Sequence, residues 1–344
     1  MWRSRRVWIG LLVSLVFIAL FLVRTDFQEI ADAFAEANYT WALLSIPVYF
    51  VAAWFRALRW RILLKPLGAM STARVFPVVI IGFMANNLIP ARAGELVRAY
   101  ILREREKVSM AATLGTIVVD RLFDGLVLLA FLLGVAAFVG VSDLMRDLAI
   151  SMAVLFGLGL AVVAVVASSE SRGVAAARGF LRVLPAGLRS RAEAPVHSFL
   201  DGLRSLRNPL DMLAVSAASV VSWLLEATMY YMVGLAFGLG VGFDAYLLVA
   251  AAANLAISVP SSPGGVGPFE FFAKRSVILF GVSDGLATAY AVALHALLLF
   301  PVIALGLYFL WAINLSFGDI LRRPEAGALD RPKVIGAVEG RGRE

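Results

Sequence analysis

Apolar sequence flanks Ser258-Val-Pro-Ser-Ser-Pro-Gly-Gly-Val-Gly-Pro-Phe-Glu270 on both sides, and this break most limits what the chain can fold into. It sets Pro260, Pro263 and Pro268 with Gly264, Gly265 and Gly267 between Ala245–Ile257 and Phe271–Phe280, then adds Glu270, Lys274 and Arg275. Proline removes a backbone donor and glycine admits positive φ, so no regular helix continues through it. Inside a bilayer such a backbone is tolerated only where it is buried in protein or lines a wet cavity.

That the surroundings are a bilayer follows from composition. Hydrophobic residues make up 61% of the chain and charged residues 16%, and several apolar runs are long enough to span. The fold class is an all-α polytopic membrane protein. There is no cysteine, which excludes disulfides, thiolate catalysis and zinc–cysteine sites. With His197 and His295 alone, a histidine-rich metal centre is not expected; no metal, cofactor or nucleic-acid partner is expected.

Charge placement sets the topology. Basic Met1–Arg6 precedes apolar Val7–Val23, an uncleaved signal anchor by this reading. Acidic Arg24–Asn38 lies outside, and Trp41–Phe55 returns to a basic end at Arg56, Arg59, Arg61 and Lys65, with Trp54 and Trp60 at the interface. Val75–Phe83 stops at Asn86–Tyr100 and is followed by Arg103, Arg105 and Lys107. Basic flanks on both sides predict a re-entrant hairpin from the cytoplasm. Met110–Val139 spans and Leu148–Ala167 crosses back. Arginine-rich 169–207 is cytoplasmic, with Phe180–Leu206 lying on the membrane surface. Leu213–Leu239 crosses outward, a second hairpin lies between the non-basic turns Gly240–Asp244 and Gly281–Gly285, and Leu286–Ile313 crosses inward.

The result is an inverted repeat with about six spanning helices and two re-entrant helical hairpins. Residues 1–316 form the transmembrane domain, with halves at 1–168 and 208–316, and 317–344 is a disordered cytoplasmic tail. Both termini are cytoplasmic, in a cell (inner) membrane. Of the 31 Lys and Arg residues, only Arg24 and Arg146 fall outside and Arg121, Lys274 and Arg275 within membrane segments; the remainder face the cytoplasm.

The two breaks share an order of features. The first reads Asn87, Pro90, Arg92, Gly94, Glu95, Arg98; the second reads Asn254, Ser258, Pro260, Pro263, Gly264, Gly265, Gly267, Glu270, Lys274, Arg275. Interrupted segments at matching places in two halves point to a transporter site, and helix N-termini at the breaks suit an anion. Asp120, Arg121, Asp124 and Glu226 sit mid-helix, where each ionisable residue costs on the order of 2.5–3.5 kcal/mol. Two acids against Arg121 leave a surplus negative charge, which predicts pairing with Arg92 or Arg98, and Glu226 is expected to pair with Lys274 or Arg275. His295, on the last helix, reads as a hydrogen-bonded core residue beside the site.

Asn87-Leu-Ile-Pro-Ala-Arg-Ala-Gly-Glu95, Asp120-Arg-Leu-Phe-Asp124 and Val259-Pro-Ser-Ser-Pro-Gly-Gly-Val-Gly-Pro-Phe-Glu270 resemble the flippase-like transmembrane domain of lysylphosphatidylglycerol synthases, which also occurs alone. The resemblance spans about Trp8 to Ser316. It implies movement of a phospholipid, isoprenoid phosphate or glycolipid between leaflets, without covalent catalysis. Asp120 stands where that family more often has Glu, and His295 near where many members carry Arg. Only a short segment follows Leu315, so this chain is expected to lack the family's aminoacyl-transferase domain.

The expected partners are membrane lipids with an anionic headgroup, together with a second copy of the chain or components of a lipid-modifying pathway. Two other functions fit the same residues. One is a phosphatase or transferase acting on polyprenyl phosphates, with Ser258, Ser261 or Ser262 supplying a hydroxyl; no arginine adjoins that loop and no paired-glutamate motif accompanies it. The other is an accessory subunit of a lipid or polysaccharide pathway.

Overall fold

A computed structural model describes residues 12, 15–21, 27–89, 93–140, 143–168, 179, 181–182, 186–258 and 263–315. The described residues are helical with short connections and contain no strand. After a helical piece at 15–21, the helices are α1 (Phe27–Glu36), α2 (Tyr39–Leu64), α3 (Thr72–Leu88), α4 (Gly94–Glu106), α5 (Met110–Ala136), α6 (Asp143–Ser168), α7 (Ala186–Gly202), α8 (Pro209–Ala236), α9 (Phe243–Ala256), α10 (Pro268–Ile278) and α11 (Asp284–Ala312).

Local chemistry sets where the helices begin. Asn38, Ser71, Ser109 and Asn208 each accept a backbone N–H at the start of α2, α3, α5 and α8, which satisfies donors that a helix leaves unpaired. Among the described residues, four helices are long and apolar enough to cross a membrane: α2, α6, α8 and α11. At 27 residues α5 has comparable length, with Asp120, Arg121 and Asp124 at its middle. The shorter α3 and α9 are apolar, and each turns back into α4 and α10 as the inner arm of a hairpin.

The packing repeats between the halves. The long helices α2 and α8 pack along much of their length and run antiparallel. Asn38 N donates to Ala236 O (2.8 Å), Arg56 meets Glu226, Arg59 meets Ser219, and Lys65 pairs with Asp211. Because α3 follows the end of α2 while α9 follows the end of α8, the two hairpins enter from opposite ends of this pair. Each inner arm also packs on the helix that follows the other hairpin, α3 on α11 and α9 on α5. The core therefore lies where the hairpins meet.

Three placements correct or extend the sequence reading. First, α2 does not stop at Phe55 with an interfacial arginine cluster. It continues to Leu64 with Arg56, Arg59 and Trp60 buried, because acids on α5 and α8 supply partners. Second, the 186–202 helix is seated on α5, with Gly202 against Ala112 O and Gly115 against Phe199 O, as well as any contact with a membrane surface. Third, α1, expected only to face outside, is docked on the start of α11. Glu29 accepts from Gly285 N (3.0 Å) and Ser283, and Phe34 meets Phe237 edge-on at 5.3 Å. In the first segment, Phe17 packs on Phe271 at 5.3 Å. The expected 317–344 tail lies outside the described residues.

Candidate functional site

Where α2, α5 and α8 cross, an ionic cluster forms. The Arg59 side chain, fully buried, reaches Asp120 Oδ1 (Nε, 2.8 Å), Asp124 Oδ1 (Nη1, 2.7 Å) and Ser219 Oγ (3.0 Å). Asp124 also accepts from Trp223 Nε1 at 2.8 Å. Asp120 and Asp124 are one helical turn apart and so share a face, and one guanidinium fork bridges them. Arg56 meets Glu226 at 2.5 Å and lies over the Trp223 ring at 4.3 Å. Arg98, from α4, stacks over Trp60 at 3.8 Å and stands 3.5 Å from Asp120 Oδ2. Arginine suits this role because its weakly hydrated planar group both pairs and stacks.

The hairpin tips are tied by their own side chains. In the first, Gly94 N donates to Asn86 Oδ1 (2.8 Å) and Asn86 Nδ2 to Glu95 Oε1 (3.3 Å). In the second, Gly264, Gly265 and Gly267 all have positive φ, a conformation that glycine adopts without a Cβ penalty. Gly267 N donates to Glu270 Oε2 (2.7 Å). The Gly94 and Gly267 amides are thus already occupied by side chains of their own hairpins.

A half-sequence correspondence runs through the cluster. Arg56 is the eighteenth residue of α2 and Glu226 the eighteenth of α8, counting from Tyr39 and Pro209, and the two pair with each other. Arg121 is the twelfth residue of α5 and His295 the twelfth of α11, counting from Met110 and Asp284. Both face the cavity, each with a hairpin glutamate, Glu95 or Glu270, lying nearby.

That cavity, about 160 Å³, lies between the tips. Polar groups lining it are Tyr49, Arg56, Asn86, Asn87, Glu95, Arg121, Asp124, Glu226, Asn254 and His295, with Gly264 and Gly265 from the second tip. Phe83, Trp223, Ile257, Phe269, Leu298 and Leu299 complete it. Arg121 differs from the other arginines. Its side chain is 39% accessible, its contacts to Asp120 and Asp124 are long at 3.5 Å, and its Nε has no partner among the described residues. Nitrogens without a hydrogen-bond partner among the described residues also remain on Arg56, Arg59 and Arg98, but those side chains are buried, so Arg121 is the accessible arginine of the four. Among the described residues no three His, Asp or Glu side chains converge as metal ligands.

Of the residues singled out from sequence, Asn87, Glu95, Arg121, Asp124, Glu226, Asn254, Gly264, Gly265 and His295 line the cavity. Arg98 and Asp120 stand behind it, while Gly94 and Gly267 shape the tips. Ser258 donates to Asn254 O at 3.1 Å, and Pro263 opens the second tip. Pro90, Arg92 and Pro260 lie outside the described residues. Lys274 is not at the site: it pairs with Asp284 (2.7 Å) at the far end of α10. Arg275 is exposed beside Phe271. The expected pairing of Glu226 with Lys274 or Arg275 is therefore corrected to Arg56, and the main partner of Asp120 and Asp124 is Arg59.

Sequence reasoning placed Arg56 and Arg59 at the membrane surface. Their spacing of three on an apolar helix, facing two acids with one nearby arginine, was the available signal. Comparison with known proteins locates this constellation. The sequence model of the lysylphosphatidylglycerol synthase TM region matches residues 7–306. The chain belongs to that family. Within its reach, a UPF0104 membrane protein of Methanothermobacter thermautotrophicus is 24% identical over 86% of this chain and 92% of its own length. One from Pyrococcus horikoshii is 24% identical over 81% and 89%. Glycosyltransferase AglD of Haloferax volcanii is 28% identical over 91% of this chain and 55% of its own length. The chain thus spans about half of that last relative. The family match covers both hairpins and every cavity-lining residue named above.

Proposed function

We propose that this membrane protein moves a lipid with an anionic headgroup, a phospholipid, isoprenoid phosphate or glycolipid, between the leaflets of a cell (inner) membrane. In this reading both termini are cytoplasmic and no covalent step occurs. The observation that carries it is Arg121, an accessible guanidinium held only by long 3.5 Å contacts, in a cavity between two hairpins that enter from opposite ends. The headgroup binds Arg121 with the Asn87 amide beside it, while the acyl chains stay in lipid. Relative motion of the halves then exposes the cavity to each leaflet in turn. Similarity to about half of a protein named a glycosyltransferase supports a glycolipid pathway as the setting. The other partners in this reading are a second copy of the chain or components of that pathway.

The test is reconstitution into liposomes with tail-labelled fluorescent phosphatidylglycerol, read by an impermeant outer-leaflet quencher. Wild type should deplete the inner leaflet faster than protein-free vesicles. Arg121→Gln should slow that by about tenfold or more, the loss expected for a charge-assisted contact. Wild-type rates equal to protein-free vesicles across phosphatidylglycerol, isoprenoid phosphate and glycolipid probes would contradict the proposal.

A further inference from the structure

His295 is held between two acceptors. Its Nε2 lies 3.0 Å from Gly264 O and its Nδ1 lies 2.7 Å from Glu270 Oε1. A carbonyl oxygen only accepts, so Nε2 carries a hydrogen. Glu270 Oε2 already accepts from Gly267 N, and the short contact to Oε1 needs a proton between it and Nδ1. The pair therefore holds one proton more than a neutral imidazole beside a carboxylate. Phe269 fixes the ring plane, its centroid 4.4 Å from the imidazole.

Remove that proton and one anchor must fail. A neutral imidazole has a single N–H. Either its Nδ1 lone pair faces the Glu270 carboxylate, or its Nε2 lone pair faces the Gly264 carbonyl; both are repulsive. Gly264 and Gly265 form the tip's backbone with positive φ, and Gly264 sits over Leu299 and close to Asn87 O of the first hairpin. The tip is thus attached to α11 through a group whose hydrogen bonding depends on one proton.

We infer that His295 and Glu270 form a proton-binding latch that holds the second hairpin tip on α11 and lets it lift when one proton leaves. The proton passes from the pair to water in the opening cavity. Across that cavity His295 faces Glu95 on α4, Arg121 and Asp124 on α5, Arg56 on α2 and Glu226 on α8. Of these, Asp124 and Glu226 are engaged by arginines. On α10, Lys274 is turned away to Asp284. At the corresponding place in the first half stands Arg121, which holds its charge throughout, so the matching position there does not gain or lose a proton. The functional meaning of the latch, coupling one proton to each opening, rests on the lipid-transport reading; the latch itself does not.

Because the chain has no cysteine, Leu299→Cys gives a single thiol beneath the tip. Its labelling by an impermeant maleimide is followed in the purified full chain in nanodiscs, from about pH 5 to 9. Each rate is divided by that of the same thiol in His295→Arg, which keeps two donors at every pH and cancels the thiol's own ionisation. The ratio should rise with pH, by up to about tenfold per unit for a one-proton step, until opening is complete. Glu270→Gln should abolish the rise, because its amide can donate to Nδ1 and leaves the neutral ring fully bonded. A ratio that stays flat, or a rise that persists unchanged in Glu270→Gln, overturns the latch. Labelling needs no lipid movement. A pH-gated thiol in a chain that moves no lipid would count against the transport reading alone.

Discussion

Arg56 and Glu226 meet at 2.5 Å, at matching positions of two antiparallel helices, with both side chains almost wholly buried. Cutting either one leaves a lone charge away from water, and breaking such a pair costs about 3–5 kcal/mol. Arg56→Ala should therefore lower the melting temperature of the purified protein clearly, whereas the exchange Arg56→Glu with Glu226→Arg should recover most of the loss. Equal destabilisation in the single and double variants would show that the two do not act as a pair. At this scale the sequence disclosed the acids and hid their partners. Asp120, Asp124 and Glu226 announced themselves by their cost mid-helix. Arg56 and Arg59 adjoin Arg61, Lys65 and two tryptophans, so they looked like the interfacial end of a span. What decides between the two readings is which face of α2 meets α5 and α8, a property of packing that no single segment carries.

The hairpins are the elements on which the site depends, and glycine sets how closely their arms approach. A Cβ on Gly94 would lie 2.1 Å from Gly82 O, backbone against backbone. Gly94→Ala must therefore separate α3 from α4 and shift Glu95 and Arg98, at a cost of about 1–3 kcal/mol for overpacking. Gly134→Ala, in α5 where nothing lies within 4 Å, should instead be neutral or stabilising, since alanine favours helix by about 1 kcal/mol. Comparing the thermal stability of these variants checks the hairpin geometry; equal effects would refute it. Both breaks were legible because Pro and Gly interrupt apolar runs. That Asn86 and Glu270 occupy the tip amides was not legible, since side-chain capping across a turn depends on backbone geometry. The seating of α7 on α5 was hidden for a similar reason: its arginines suggested a surface helix, while Gly115 and Gly202 provide the contact.

Across the whole molecule, antiparallel α2 and α8 put the hairpin entrances at opposite ends, and the cross-packing of α3 on α11 and α9 on α5 brings the tips together. Charge asymmetry already implied opposite entry, and the family match over residues 7–306 agrees with the polytopic membrane architecture. The most direct measurement is side-specific thiol labelling in sealed, oriented membrane vesicles, comparing Arg105→Cys at the base of the first hairpin with Asp244→Cys at the base of the second. Both positions are exposed. With the outer face presented, an impermeant maleimide should modify Asp244→Cys at once and Arg105→Cys only after permeabilisation. Immediate modification of both from the same face would contradict opposed hairpins and, with them, a site shared between the two leaflets.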